Sequence, residues 1–255
     1  MIALQASLLL VQRNMMIWRR QWWVLAAGFI EPVLYLFSIG IGVGGMISDF
    51  TFNGHPIAYA AFVAPGMLAA SAMNGAMYDG TFNFFFKLHF DKTYEAILAT
   101  PLRAIDVARG ELIWTLSRGA IYGVGFIGVM LAMGLIGSWW AILTPAAVLL
   151  AGAAFGSMFM AVTTYLKTIQ DLDYVTLVQL PLFLFSATFF PITAVPAWLR
   201  WILEFTPLYR AVVLMRELCT GVIDWGAAAS VVYLAAMVVI GLAIIRRRIT
   251  ALILS

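Results

Sequence analysis

From Trp225 to Ile245 the chain runs for twenty-one residues without a charged side chain. A hydrocarbon core about 30 Å thick is crossed by roughly 20 predominantly apolar residues in a helix. Inside that core only helices and closed barrels satisfy every backbone polar group. Five further stretches are nearly as apolar, with at most one charged residue each, approximately Trp23–Gly45, Ile57–Phe82, Ile113–Ile136, Trp140–Leu166 and Leu172–Phe190. They predict an all-α membrane protein of six transmembrane helices, a single transmembrane domain over residues 1–255. Hydrophobic residues make up 64% of the chain and charged ones 11%, against roughly 45–50% and 25% in soluble domains. That balance leaves no room for a large soluble domain. The single cysteine, Cys219, excludes an intramolecular disulfide and a cysteine-based zinc cluster.

Arg19-Arg20 precede the first stretch, but its apolar run exceeds the 7–15 residues of a signal-peptide core, so it reads as an uncleaved helix. Lysine and arginine then set the orientation. With the N-terminus in the cytoplasm, twelve of the fifteen fall inside and only Arg200, Arg210 and Arg216 fall outside. Both termini are therefore expected in the cytoplasm, with an even number of spans. Residues 1–21 read as an interfacial helix. Gln5, Gln12, Arg13, Arg19 and Arg20 share one sector, and Leu4, Leu8, Val11, Met15 and Trp18 recur on the other. Asn14 and Ser7 break that pattern by falling on the apolar side.

Two connections do not read as simple loops. The cytoplasmic segment 83–112 mixes Lys87, Lys92, Arg103 and Arg109 with Asp91, Glu95, Asp106 and Glu111. Within it, Lys92–Thr100 forms one helix that stops ahead of Pro101. Tyr94, Ile97 and Leu98 share a face of this helix. An exposed apolar stripe calls for a cover, either a partner or the ends of the chain's own spans. The outer segment 190–224 is broken by Pro191, Pro196 and Pro207 into pieces too apolar for a solvated loop. Short re-entrant helices fit that composition, with Trp198 and Trp201 at the outer interface. Arg200, Arg210 and Arg216 are then expected to meet lipid phosphates, Glu204 or Glu217.

Polar groups inside hydrocarbon are costly and call for a reason. Glu31, Tyr35, Ser38 and Gly42 share one face of the first span; Met67, Ser71, Asn74 and Tyr78 share one of the second; Gln179, Phe183, Ser186 and Phe190 share one of the fifth. They read either as a polar and aromatic pathway suited to an amphiphile or sugar, or as helix–helix packing. Gly40/Gly44, Gly119/Gly123 and Gly152/Gly156 mark close packing, within one chain or between two.

Several devices are missing. No G-x-x-x-x-G-K-[ST] is present to cradle ATP phosphates, and neither H-E-x-x-H nor G-x-S-x-G occurs. No aromatic and basic surface suggests nucleic acid. Taken alone, these residues leave open an ion-coupled transporter working through Glu31, or an intramembrane enzyme using Glu31 and Asp79 as acid and base.

The ordered motifs add a resemblance. Glu31-Pro32-Val33-Leu34-Tyr35 with Gly40-Ile41-Gly42-Val43-Gly44, Tyr94-Glu95-Ala96-Ile97-Leu98-Ala99-Thr100-Pro101 and Gly110-Glu111-Leu112-Ile113-Trp114 come first. Phe189-Phe190-Pro191-Ile192, Pro196-Ala197-Trp198-Leu199 and the terminal Arg246-Arg247-Arg248 follow. In this order they resemble the ABC-2 family of exporter permeases along essentially the whole chain, most of all the inner-membrane subunits of nodulation-factor (lipo-oligosaccharide) exporters. Daunorubicin-resistance-type permeases share the pattern and make drug export the alternative within transport. The resemblance implies a half-transporter with no cofactor of its own. Two permease copies would pair in the lipid bilayer, and ATP and Mg would be held by separate ATPase subunits below. It further implies that Tyr94, Glu95, Ile97, Leu98, Thr100 and Pro101 belong to the coupling helix. The outer segment holding Pro191, Pro196, Trp198, Trp201 and Arg210 would close the exit. The chain itself would be no enzyme.

Overall fold

A computed structural model of the chain describes residues 11–16, 30, 32–47, 50–52, 54–90, 94, 97 and 104–253. Apart from a two-residue hairpin, Thr51–Phe52 (β1) with His55–Pro56 (β2), its regular structure is helical. In chain order the helices are α1 (Pro32–Met46), α2 (Tyr59–His89), α3 (Ala104–Ala132), α4 (Trp139–Thr163), α5 (Asp171–Leu184), α6 (Ala197–Phe205), α7 (Pro207–Thr220) and α8 (Trp225–Ile253).

Four of these are long and apolar enough to cross a bilayer: α2, α3 from Asp106, α4, and α8 as far as Arg248. The expected fifth span is shorter than its hydropathy implies. At 14 residues, α5 extends only about 21 Å. Pro181 lies in its last turn, and beyond Leu184 the chain bends through Phe185–Phe190 with Ala187 at a positive φ of 54°. The first span is described only from its later half, where Leu36–Val43 is wound as a π-helix. The expected third span begins earlier than Ile113, so residues 104–112 of the cytoplasmic segment are the first turns of α3. Likewise α2 continues past Phe82 to His89 through a π-helical turn, Tyr78–Asn83.

The helices pack by their small residues. Around α2 gather α1, α3, α4 and α7, and α4 also lies along α8. A helix apolar all round belongs in a core, and α2 is buried along most of its length. A Cβ at Gly123 would stand 2.7 Å from the Val148 side chain, and one at Gly241 would stand 2.7 Å from Ser157 Oγ. The first contact joins α3 to α4 and the second joins α8 to α4, so both close approaches are internal to one chain. The Gly119 position, by contrast, meets nothing within 4 Å. On the opposite side α8 leaves Val231, Val232, Val239 and Ile240 exposed. Such a patch suits hydrocarbon, where it meets tails as apolar as itself.

The outer segment forms two helices, α6 and α7, as the proline breaks predict. Pro207 opens α7 at a position where a missing N–H costs nothing, and Gly221 closes it in the left-handed region (φ 82°). α6 exposes Trp198, Trp201, Ile202 and Phe205 along one face and buries Leu203.

Candidate functional site

Three of the polar faces read from the sequence meet. Pro32 and Tyr35 of α1, Met67, Ala70, Ser71 and Asn74 of α2, and Asp173, Thr176, Leu177, Gln179, Leu180 and Phe183 of α5 line a cleft of about 520 Å³. Their spacing is the cause. Met67, Ser71 and Asn74 stack along one side of α2, and Thr176, Gln179 and Phe183 along the facing side of α5. The Gln179 Nε2 donates to Asn74 Oδ1 at 2.7 Å, tying α5 to α2 across the cleft. The Tyr35 ring meets Phe183 edge-on at 6.4 Å between centroids, and Phe183 meets Phe189 the same way at 5.4 Å. The cleft therefore offers amides, hydroxyls and aromatic faces together, a set that binds a group both polar and apolar.

Tyr78 and Phe190, expected on the same pathway, do not line this cleft. Tyr78 opens the π-helical turn of α2, and its ring lies 5.6 Å from the Arg118 guanidinium carbon and 5.8 Å from the Phe82 ring. Phe190 is replaced by its neighbour: the Phe189 ring packs on Phe183 while the Phe189 carbonyl accepts from the Tyr59 hydroxyl at 2.8 Å. Glu31, expected at the head of this path, lies outside the described residues.

The π turn also carries Asp79. Its Oδ2 meets Arg118 Nε at 3.1 Å with both side chains buried, and Asn83 Nδ2 donates to its other oxygen at 2.7 Å. Arg118 donates to the Gly75 carbonyl as well. An Asp held in this way serves as counter-ion to Arg118. The Gly80 carbonyl accepts from Thr163 Oγ1 at 2.8 Å, so a backbone group in the π turn gains a partner from α4.

One turn further along, Lys87 is not the exposed cytoplasmic lysine its sequence position suggests. Its Nζ lies 2.7 Å from Glu111 of α3, and Asn14 bonds both of them. Asn14 is buried, while Met15 and Met16 on the same helical stretch are exposed. The residue that broke the amphipathic pattern is thus the one that docks residues 11–16 on α2 and α3. Tyr94 behaves similarly. It is only 3% exposed and packs on Phe84 at 5.4 Å, within a cluster that includes Val107, Leu112 and Ile245. Ile97 packs against the same cluster. Glu95, Leu98, Thr100 and Pro101 lie outside the described residues.

At the far end, Arg216 corrects the expectation of phosphate or Glu217. It is buried, and its Nε donates to the Phe62 carbonyl while its Nη2 donates to those of Ala187 and Thr188. Its guanidinium carbon stands 3.7 Å from the centroid of the Phe62 ring. The bend after α5 is thereby held against α2. Glu217 instead accepts the backbone N–H groups of Asp224 and Ala227 at the start of α8. Arg210 lies 6.0 Å over its neighbour Tyr209. Pro191 precedes a short 3₁₀ turn, Ile192–Ala194, and Pro196 leads into α6. Between α4 and α5, the backbone N–H groups of Lys167 and Thr168 donate to Asp171 and hold its carboxyl below the usual range.

Residues 5–219 match a family model described as ABC-2 type transporter. The chain is 32% identical to Nodulation protein J of Rhizobium leguminosarum bv. trifolii over 244 residues, covering 93% of this chain and 91% of that protein. To Nodulation protein J of Rhizobium leguminosarum bv. viciae it is 33% identical over 215 residues, 80% of this chain and 81% of the other. More distantly, it is 24% identical to the inner membrane transport permease YadH of Escherichia coli (strain K12) over 201 residues, 78% of this chain and 75% of that permease.

Proposed function

Because this chain belongs to the ABC-2 type transporter family, we propose that it is the permease subunit of an ATP-driven exporter of an amphiphilic lipo-oligosaccharide, glycolipid or polysaccharide-type substrate. The cleft between α1, α2 and α5 carries this reading, since its amides and hydroxyls suit a glycan and its Tyr35 and Phe183 rings suit the apolar part. ATP and Mg belong to a separate cytoplasmic ATPase. A second copy of the chain covers the cleft, in keeping with the exposed apolar rim of Leu34, Phe37, Leu177 and Leu180. In the bacterial inner membrane α1 and α5 complete six crossings, both termini are cytoplasmic, and α6 and α7 re-enter the outer leaflet. The segment 94–101 couples the two subunits: Tyr94 and Ile97 root it in the bundle, and Glu95, Leu98, Thr100 and Pro101 meet the ATPase.

One reconstitution tests both halves. The permease is placed in vesicles with the ATPase and the lipid-linked glycan that co-purify with it from native membranes. Asn74→Leu with Gln179→Leu should keep ATPase binding and lower export about tenfold, because the polar bridge in the cleft is gone. Leu98→Asp should insert normally but lose ATPase binding in pull-down, judged against Lys167→Ala, since an unpaired charge at a buried contact costs several kcal/mol. Undiminished export in the first variant removes the cleft from the path; undiminished binding in the second removes the coupling role.

A further inference from the structure

The lining of the cleft is electrically one-sided. Its polar groups are the Tyr35 phenol, the Ser71 and Thr176 hydroxyls, the Asn74 and Gln179 amides, and the Asp173 carboxylate. No lysine, arginine or histidine stands among the described residues that line it. On α2 and α3, Lys87 is committed to Glu111 and Arg118 to Asp79.

The fold makes no visible use of Asp173. Carboxylates in a first helical turn commonly answer the helix dipole, but Asp171 already places one there and also fixes the preceding loop. The Asp173 side chain is exposed toward the cleft and has no hydrogen bond or ion pair among the described residues. From Asp173 to Phe183 the cleft follows α5 for about 15 Å. A ligand lying along it meets the carboxylate at one end and an aromatic ring at the other.

We propose that this cleft selects its ligand by charge. It takes uncharged or cationic amphiphiles whose head groups are rich in hydroxyls and amides, and Asp173 turns away those bearing phosphate or sulfate. The hydroxyls and amides of the lining both donate and accept, which serves a sugar or an N-acyl group. A phosphate needs charge-assisted donors to replace its water, and among the described lining residues it would meet none and face a like charge instead. The proposal rests on the reading of the cleft as the transport path and adds the substrate class.

The test uses the full chain in lipid nanodiscs with three photoreactive diazirine probes of equal alkyl length: a dodecyl glucoside, a dodecyl trimethylammonium and a dodecyl phosphate. Crosslinks on residues 67–74 and 173–183 are mapped by mass spectrometry and normalised to those on the exposed face of α8, which report partition into the bilayer. The glucoside and the ammonium should label the cleft, and the phosphate about tenfold less, as like-charge opposition dictates. Asp173→Lys should raise phosphate labelling and lower ammonium labelling by similar factors, and Asp173→Asn should fall between. Equal labelling by phosphate and glucoside in the wild-type chain, or a ratio unmoved by Asp173→Lys, overturns the charge selection while leaving the cleft an amphiphile site. No cleft labelling by any probe overturns the transport-path reading and this proposal with it.

Discussion

At the end of the bundle where α2 and α3 carry Asp79, Lys87, Glu111 and Arg118, each of two cations meets a carboxylate, Lys87 partly buried and Arg118 fully. At the opposite end Arg216 is just as buried and meets three backbone carbonyls instead. The first arrangement joins two helices through paired side chains, with one further bond from Arg118 to the Gly75 carbonyl, so both partners of a pair can be exchanged together. The second ties a side chain to the main chain of α2 and of the bend after α5, and no companion substitution can remove those carbonyls. Charge at one end sets which helices are neighbours; at the other it sets the path of the backbone.

The largest effect is expected from Arg118→Leu, which leaves Asp79 buried without its counter-ion and should cost about 3–5 kcal/mol in detergent unfolding. Adding Asp79→Leu should recover most of that loss, because an apolar pair of similar volume is often neutral. A double variant no more stable than the single would break the comparison at its inner end.

Arg216→Lys comes next, at about 2 kcal/mol, since an ammonium keeps the charge but lacks the planar fork that spans Phe62, Ala187 and Thr188. Amide hydrogen exchange should quicken over residues 186–189 and stay unchanged around Asp79. Unaltered protection of that bend would show that the carbonyl contacts do not hold it.

Asn14→Ala should have the smallest effect, about 1 kcal/mol for its hydrogen bonds to Lys87 and Glu111. Exchange should rise over residues 11–16 while the Lys87–Glu111 pair persists, which sharpens the comparison by separating docking from charge pairing. Loss of the pair in this variant would make Asn14 part of the ion pair itself.

Much of this was legible from spacing and hydropathy. The apolar stretches became the long helices α2, α3, α4 and α8, and Tyr35, Asn74, Gln179 and Phe183 converge because a period of 3.6 places them correctly on straight helices. Tyr78 keeps the α-helical bond to the Asn74 carbonyl but lies a turn beyond the cleft, where its ring meets Arg118 and Phe82. Tyr94 lies on an apolar stripe whether its cover is a partner or the chain itself, and periodicity does not distinguish them; the Phe84 ring does. Arg216 follows Arg200 and Arg210 in a segment expected at the membrane interface, and nothing local says that the bend after α5 folds back onto it. Asn14 did leave a signal as the misfit on an apolar face. Asp79 and Arg118 left another, as opposite charges near the facing ends of neighbouring spans.

The π turn at Tyr78–Asn83 has a last consequence, one of chain length. Bonding from i to i+5 lodges one more residue in a turn than an α-helix holds. A chain with a single residue deleted there would close the stretch as ordinary α-helix and keep the turns on either side in register, whereas the same deletion elsewhere in α2 would rotate everything beyond it by about 100°. In the first case Phe84 would stay on Tyr94 and Lys87 on Glu111; in the second both contacts would be lost. Hydropathy would register neither change, yet only the second would pull that end of the bundle apart. The π turn is the place along α2 where the number of residues can change while the contacts beyond it survive.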